Sequence, residues 1–202
     1  MSDFQQRIEA VHASGRPWII GKAAMSLNGK MTRPAGQGPW ISGEASRHDV
    51  QHQRSRCDAI LIGAQTARAD NPSLTVREVE VAEQPWRAVV TRSGNLPPDL
   101  NLLTDEFQDR TLIFENLQWE DIWIQLFEKG IRTVMVEGGG SILNQLSENN
   151  FIDESIIYYA PFNLDGDTLI TAEAFRGLKL EAIHATALEG DLRISGMVHS
   201  SA

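Results

Sequence analysis

A short run, Ala59-Ile-Leu-Ile-Gly63, shows no alternation of polar and apolar side chains. That pattern is typical of a strand buried on both faces, as in the parallel sheets of α/β proteins. Ile131–Val136 has the same character, and Arg87–Thr91 and Thr111–Phe114 share it more weakly. Parallel neighbours cannot be joined by a tight hairpin, so helices are expected between these strands.

The spacing of apolar residues places those helices and the remaining strands. Helices are predicted over Asp3–Ala13, from near Ser42 to Arg54–Arg56, over Trp119–Glu128 and over Ser141–Leu146, and further strands over Trp18–Leu27, Glu154–Ala160, Lys179–Leu188 and Arg193–His199. Ser42 is the expected N-cap of the second helix. The turn Glu189-Gly190-Asp191 joins the last two strands as a hairpin. The prediction is an α/β fold with a mostly parallel central sheet, helices on both faces and an antiparallel C-terminal hairpin.

Length and charge narrow the function classes. The 202 residues suit one domain over 1–202, and the lone Cys57 excludes an internal disulfide, which favours a reducing, cytoplasmic setting. The formal net charge of −9 argues against nucleic acid or an anionic membrane as a partner, and no apolar run is long enough to span a bilayer. An anionic ligand must therefore be held by local basic groups, so the position of each arginine and lysine is informative.

The strongest candidate binding feature follows one of the buried strands. Glu137 is followed by Gly138, Gly139 and Gly140, and Ser141 then begins a helix. Glycines let the backbone approach a phosphate closely, and the helix N-terminus favours its negative charge. The alternative is a tight strand-to-helix connection without a ligand. Glu137 could accept hydrogen bonds from the N–H groups of a heterocycle, or it could cap the helix.

Isolated charged residues give weaker signals. Lys22 lies inside a half-buried strand, where a charge needs a partner unless the strand is at an edge. Arg54 and Arg77 stand near element ends and, taken singly, each is better explained as a solvated surface residue than as a ligand. His48 and His52 have the spacing of a metal pair on a helix, but no third ligand stands beside them, so no metal site is predicted.

Several motifs, in order along the chain, resemble a known family. They are Gly21-Lys-Ala-Ala-Met-Ser-Leu-Asn-Gly-Lys30, Pro39-Trp-Ile-Ser-Gly-Glu44, Cys57-Asp-Ala-Ile-Leu-Ile-Gly-Ala64, Thr66–Arg77, Val136-Glu-Gly-Gly-Gly140, Ile152-Asp-Glu154, Ala160-Pro161 and Leu188-Glu-Gly-Asp-Leu192. Together they cover nearly the whole chain and are similar to the reductase domain of riboflavin biosynthesis, which is often fused behind a pyrimidine deaminase. The resemblance implies a dihydrofolate-reductase-like fold.

The resemblance also implies a reaction and its site residues. In the family, NADPH reduces the sugar carbon of a ribosylamino-pyrimidine phosphate to the open ribityl chain, so the site needs a proton donor. The positions that match NADPH contacts are Ala24, Trp40, Thr66, Asp70 and the segment Gly139–Gln145. Those that match substrate contacts are Arg54, Leu74, Arg77 and Glu137, with the two arginines on the phosphate. Lys22, Asp70 and Glu137 are the expected catalytic residues.

Two further expectations concern the cofactor and the assembly. Arg92 and Ser93, after a predicted strand, could hold the 2′-phosphate of NADPH, whereas an acidic residue there would suit NADH. A homodimer is expected from the resemblance, and also because the strand Ile156-Ile-Tyr-Tyr-Ala160 would need cover on both faces beyond what one small domain readily supplies.

Four positions depart from the family pattern. Asn28 and Asn71 stand where acidic residues are usual, Gly38 where a substrate-contacting serine is usual, and Phe162 where a basic residue is common. These differences leave two alternatives open: a related NADPH reductase of a pterin, another aminopyrimidine or an imine, and an NADPH-binding protein without turnover. The sequence has no His-x-Glu with a Cys-x-x-Cys, so the reductase domain is expected without the deaminase.

Overall fold

The computed structural model describes residues 2–34, 36–38, 40–166, 173–175 and 177–199. The helices are α1 (Asp3–Ala13), α2 (Glu44–Arg54), α3 (Ala64–Asp70), α4 (Asn101–Thr104), α5 (Trp119–Glu128) and α6 (Gly140–Glu148), with 3-10 turns at Gln108–Arg110 and Glu173–Phe175. The strands are β1 (Trp18–Ser26), β2 (Ala59–Gly63), β3 (Trp86–Thr91), β4 (Thr111–Glu115), β5 (Thr133–Val136), β6 (Glu154–Ala160), β7 (Leu180–Leu188) and β8 (Asp191–Val198).

The chain divides into two compact units, Met1–Ile19 with Gln53–Val136, and Ile20–His52 with Glu137–Ala202. In the first unit β2 pairs in parallel with β3 and with β5, and β3 pairs in parallel with β4. In the second, β1 pairs in parallel with β6, and β8 pairs antiparallel with both β6 and β7. The predicted α/β class, mostly parallel with antiparallel C-terminal strands, is confirmed.

The buried runs of the sequence form the expected strands. All five residues of β2 are buried, and α5 buries one apolar face formed by Ile122, Trp123 and Leu126. The hairpin between β7 and β8 turns through Glu189 (φ 40°) and Gly190 (φ 109°), the positive φ angles that tight hairpins require. Among the described residues, no helix has the length and apolar character needed to cross a membrane.

Helix α2 begins differently from the prediction. Its first residue is Glu44, and the expected cap, Ser42, lies one residue too far from it. The carboxylate of Asp191, the first residue of β8, instead accepts hydrogen bonds from the Gly43 N–H (2.7 Å) and from the Ser46 hydroxyl (2.6 Å). A carboxylate at a helix N-terminus satisfies unpaired N–H groups and favours the helix dipole, so Asp191 replaces a local cap.

The sequence argument for a dimer contained a wrong premise. In β6, Ser155, Ile156, Ile157, Tyr158 and Ala160 are all buried within the single chain. Both faces of this strand are therefore already covered, and β6 supplies no reason for a second subunit.

A buried arginine forms several hydrogen bonds in the core of the first unit. Arg87, in β3, is only 1% exposed, and its guanidinium donates to both carboxylate oxygens of Asp105 (2.6 and 2.9 Å). It also donates to the carbonyls of Ser73 and Leu102 and to the Thr111 hydroxyl. The hydrogen bond from Arg87 holds the pKa of the Asp105 carboxyl below its usual value.

Replacing Asp105 tests how much this arrangement contributes to stability. We expect Asp105→Asn to lower the free energy of unfolding by about 3 kcal/mol, because it leaves the buried Arg87 charge uncompensated. The matched control is Glu83→Gln in the Arg110–Glu83 pair, where the glutamate is 75% exposed, and it should cost less than about 1 kcal/mol. Because the pKa of Asp105 is lowered by folding, its contribution is present above about pH 4 and is lost as the pH falls through the folded value. Denaturant unfolding at neutral and acid pH measures both effects, and equal losses in the two variants would contradict the assignment.

Candidate active site

The predicted residues Lys22 and Glu137 meet in the second unit. Lys22 lies on β1, Glu137 follows the last residue of β5, and the Lys22 Nζ lies 3.6 Å from the Glu137 Oε2. Their side chains are only 17% and 10% exposed. Each charge therefore compensates the other in a largely buried place, which accounts for a lysine inside a strand.

The register of the second unit aligns further polar side chains with Lys22. Ala24 pairs with Tyr158, Tyr158 with Arg193, and Arg193 with Thr186 across β1, β6, β8 and β7. Paired residues of neighbouring strands point to the same face, and Lys22 shares that face two residues before Ala24. The Lys22 Nζ lies 5.8 Å from the centre of the Tyr158 ring, within the range of a cation–π contact.

Asp49 of α2 joins this face. Its carboxylate accepts a hydrogen bond from the Tyr158 hydroxyl (2.7 Å) and two from the guanidinium of Arg193 (2.7 and 2.8 Å). Arg193 also donates to the Thr186 hydroxyl (3.1 Å). Burial, and then the hydrogen bond to Asp49, raise the pKa of the Tyr158 hydroxyl, so it remains a neutral donor. No sequence motif distinguishes Asp49, Tyr158 or Arg193, since each stands in an ordinary helix or strand pattern.

The glycine loop leads directly into α6. Gly139 is the N-cap, it provides no side-chain cap, and the first turn contains no acidic residue. Gly138 and Gly140 are buried, whereas Ser141 is exposed at the start of the helix. A helix start with neither a side-chain cap nor an acidic residue can take an anionic group from a ligand.

A cavity of about 450 Å³ lies beside the start of α2 in the second unit. Its lining includes Trp40, which is 62% exposed, and the guanidinium of Arg47 lies 5.6 Å from the Trp40 ring. The lining also includes Arg33 and Phe162, and the guanidinium of Arg33 lies 4.8 Å from the ring of Phe162. An exposed indole in a cavity offers a flat surface for a planar ligand, as expected for Trp40.

In the first unit, Thr66 and Asp70 lie on α3, a short helix that the sequence pattern did not predict. Asp70 is its last residue, and partial burial raises the pKa of the Asp70 carboxyl. The next residue, Asn71, adopts a left-handed conformation (φ 40°) and is held by Asn101, whose backbone N–H donates to its side chain and whose side chain donates to its carbonyl, both at 2.7 Å. Asp70 is therefore presented by a fixed turn, with its carboxyl poised to keep a proton to a higher pH than usual.

The two arginines predicted to bind phosphate are also in the first unit. Arg54, the last residue of α2, donates to the carbonyl of Thr75 at 3.1 Å. Thr75 stands between Leu74, which is buried with φ 52°, and the exposed Arg77. The contact ties the end of α2 to the segment that carries Leu74 and Arg77.

The remaining predicted residues lie on surfaces. Arg92 and Ser93 are exposed directly after β3, whose Val90 pairs with Gly63 at the end of β2, so both strands leave the sheet at the same edge. The rings of His48 and His52 pack edge to face with their centres 5.0 Å apart. Within the described ranges, no three His, Cys, Asp or Glu side chains are grouped to hold a metal ion.

Three of the four departures from the family pattern have a local structural account. The side chain of Asn28 donates to the Leu164 carbonyl (2.9 Å) and accepts from the Leu164 N–H (3.1 Å), and an aspartate could not make the first of these bonds. Gly38 has φ 82°, which disfavours a serine. Phe162 lies under the guanidinium of Arg33. The asparagine at position 71 has no structural explanation, since both of its contacts with Asn101 use oxygen atoms that an aspartate also has.

The comparisons with known proteins show the family of the chain. The family model described as the RibD C-terminal domain matches residues 17–194. The chain is similar to the riboflavin biosynthesis protein RibD of Bacillus amyloliquefaciens, at 31% identity over 91% of the chain and 58% of that protein. It is also similar to a 2,5-diamino-6-ribosylamino-4(3H)-pyrimidinone 5′-phosphate reductase of Archaeoglobus fulgidus, at 30% identity over 79% of the chain and 89% of the relative.

Solved structures show the same fold. RibD of Acinetobacter baumannii aligns with a TM-score of 0.81 and 26% identity over 94% of this chain and 60% of that one. A dihydrofolate reductase of Enterococcus faecalis aligns with a TM-score of 0.57 and 12% identity over 89% of this chain and 96% of that one, which bears on the fold alone. The expected dihydrofolate-reductase-like fold is thereby confirmed. The chain spans about three fifths of the length of the two RibD proteins.

Proposed function

We propose the following function for this chain, which belongs to the RibD C-terminal domain family: it is an NADPH-dependent reductase of riboflavin biosynthesis. Its substrate would be 5-amino-6-(5-phosphoribosylamino)uracil or the diaminopyrimidinone analogue, and its product the ribityl compound. The observation that carries the proposal is the partly buried Lys22–Glu137 pair, which stands directly before a glycine loop and an uncapped helix start. Such a pair can bind a polar heterocycle next to a place suited to phosphate.

The proposed reduction requires a proton as well as a hydride. The reduction adds hydride to the sugar carbon of the ring-opened imine and a proton to the imine nitrogen, so that C=N becomes CH–NH. NADPH, when bound, supplies the hydride. Asp70 is the proposed proton donor, and its raised pKa suits that role. Glu137 accepts hydrogen bonds from ring N–H groups, and Lys22 pairs with that carboxylate and orients it.

The residues proposed for NADPH fit such a group. The start of α6, from Gly138 to Ser141, can take a diphosphate because neither a side-chain cap nor an acidic residue occupies it. The exposed Trp40 ring suits a planar part of the cofactor. Ala24 and Thr66 complete the proposed set by resemblance. Arg54 and Arg77, with Leu74, are proposed to bind the substrate and its phosphate.

An assay of turnover tests the proposal directly. The protein should oxidise NADPH on addition of the ribosylamino-pyrimidine phosphate, with the ribityl product identified by mass spectrometry. Lys22→Ala serves as the inactive control. Turnover of a pterin or an unrelated imine in place of this substrate would indicate a related reductase. NADPH binding without oxidation by any pyrimidine would indicate a nucleotide-binding protein and would defeat the proposal.

We expect a preference for NADPH over NADH, because the exposed Arg92 and Ser93 can bind a 2′-phosphate. Fluorescence titration should give a lower Kd for NADPH than for NADH. Arg92→Ala should raise the Kd for NADPH by about tenfold, as expected for the loss of one charge-assisted contact, and should leave the Kd for NADH unchanged. Equal Kd values for the two cofactors in the native protein would refute the assignment.

We also propose that the protein is a homodimer, because the family that it resembles is expected to form one. The lone Cys57 supports a cytoplasmic location. Light scattering at assay concentrations should return twice the mass of 22.4 kDa. A monomer mass under active conditions would exclude the dimer without affecting the proposed reaction.

A further inference from the structure

We propose that Asp49, Tyr158 and Arg193 act as positioning residues for Lys22 and, through it, for Glu137. We call these three residues the Asp49 brace. The inference rests on the proposed function, because it assigns a role in substrate binding to the Lys22–Glu137 pair. It adds three residues from α2, β6 and β8 that neither the sequence pattern nor the resemblance identified.

The Lys22–Glu137 contact does not by itself fix the lysine. The distance of 3.6 Å between Lys22 Nζ and Glu137 Oε2 is longer than an ordinary hydrogen bond, and a lysine side chain has a flexible stem of four carbons. The Tyr158 ring below the ammonium restricts where the charge can lie. Lys22 is therefore positioned from two sides, by a carboxylate and by an aromatic face.

The brace fixes the Tyr158 ring in turn. Tyr158 is fully buried, and its hydroxyl donates to the Asp49 carboxylate at 2.7 Å. Arg193 holds the same carboxylate through two bonds, and Thr186 accepts from Arg193. Both bonds come from Nη1 of Arg193, while its Nη2 donates to Thr186, so the carboxylate that accepts from the Tyr158 hydroxyl is itself held in place. The sheet register places Tyr158, Arg193 and Thr186 in one row, which explains how a helix residue reaches all of them.

The brace also balances charge around Lys22. Among the described side chains that surround it, Glu137 comes from the loop after β5, Tyr158 from β6, Asp49 from α2 and Arg193 from β8. Asp49 and Arg193 carry opposite charges in direct contact, and the Lys22 ammonium lies 3.6 Å from Glu137. Removing either member of the Asp49–Arg193 pair changes the electric field around Lys22, and the two removals act in opposite directions.

That opposition gives the test. In protein with 13C-labelled lysines, NMR spectra at constant pH show the four lysines, and Lys22→Arg assigns the Lys22 signal. Asp49→Asn leaves the Arg193 charge uncompensated and should displace the Lys22 signal in one direction. Arg193→Gln leaves the Asp49 charge uncompensated and should displace that signal in the opposite direction. The control is Asp105→Asn, which breaks an arginine–aspartate pair in the first unit and should leave the Lys22 signal unchanged.

Kinetics provide the second readout. Asp49→Asn should raise the KM for the pyrimidine substrate by about tenfold, while the Kd for NADPH stays within about twofold. Shifts of the same sign in both variants, or no shift in either, would overturn the brace, since a loss of stability alone does not reverse sign. If Asp49→Asn does not fold, the presence or absence of a displaced Lys22 signal in Arg193→Gln still decides the question. The NMR measurement needs no turnover, so opposite shifts in a protein that does not reduce the pyrimidine would support the brace and reject the proposed reaction.

Discussion

Asp70→Asn is expected to lower kcat by about 10²–10⁴ while the Kd for NADPH changes by less than about twofold. Asp70 is the last residue of α3 and is presented by the fixed turn at Asn71. Burial raises the pKa of its carboxyl, so it keeps a proton to a higher pH than an ordinary aspartate. If Asp70 donates that proton, kcat falls as the pH rises through its pKa, and Asp70→Asn loses this dependence. Rapid mixing with NADPH and substrate over a pH series measures both quantities.

The same variant separates catalysis from a role in the turn. A carboxyl whose pKa is raised by folding makes the folded state less stable when it is ionised, so Asp70→Asn should not lower the free energy of unfolding at neutral pH. Asp99→Asn, at an exposed position of the same unit, is the matched control and should be fully active. A fall in stability together with activity would indicate that Asp70 only shapes the turn. A well-folded and fully active Asp70→Asn would show that the catalytic assignment is wrong.

Arg54→Ala and Arg77→Ala are each expected to raise the KM for the phosphorylated substrate by about ten- to a hundredfold. The protein carries a net charge of −9, and a helix C-terminus repels anions, so Arg54 must overcome both effects. The planar guanidinium can bind phosphate oxygens in pairs, and one such contact contributes roughly 1.5–3 kcal/mol. Steady-state kinetics on the two variants test this, and the Kd for NADPH should hardly change.

A neighbouring arginine and a second substrate provide the controls. Arg56→Ala removes an exposed cation just beyond α2, which contacts only the side chain of Gln53 among the interactions described, and it should leave KM within about twofold. The dephosphorylated substrate should be poor for the native protein and hardly worse for the Arg54 and Arg77 variants. Equal turnover of both substrates by the native protein would mean that the phosphate site is misassigned. A related reductase with another acceptor would then be the better description.

The helices and strands that were predicted correctly are those that a local sequence pattern encodes. The predicted bounds of β2, β6 and α5 match the observed ones. These elements were predictable because burial determines the spacing of their hydrophobic residues. The short helices α3 and α4 were not predicted, since seven and four residues are too few to show a helical period.

Long-range contacts account for the other differences. Ser42 was expected to cap α2, but the carboxylate of Asp191 does so. Asp191 lies 148 residues from Gly43, so no local sequence pattern could predict this contact. Lys22 and Glu137 were identified, partly because a charge in a strand requires a partner. Asp49 was not, because its partners Tyr158 and Arg193 lie 109 and 144 residues away. Only the register of β6, β8 and β7 brings them to one face.

The contacts of Asp191 have a consequence for the order of events during synthesis. The second unit is built from two stretches of chain separated by the first, and the start of α2 is fixed by a residue that is synthesised 148 residues after Gly43. A nascent chain that stops before β8 can form contacts within Gln53–Val136 but leaves α2 without its cap and β6 without its antiparallel neighbour. Contacts between distant parts of a chain form slowly, because the intervening loop must close first. Protease protection on stalled ribosomes should therefore appear early for Gln53–Val136 and only after β8 has left the ribosome for Ile20–His52.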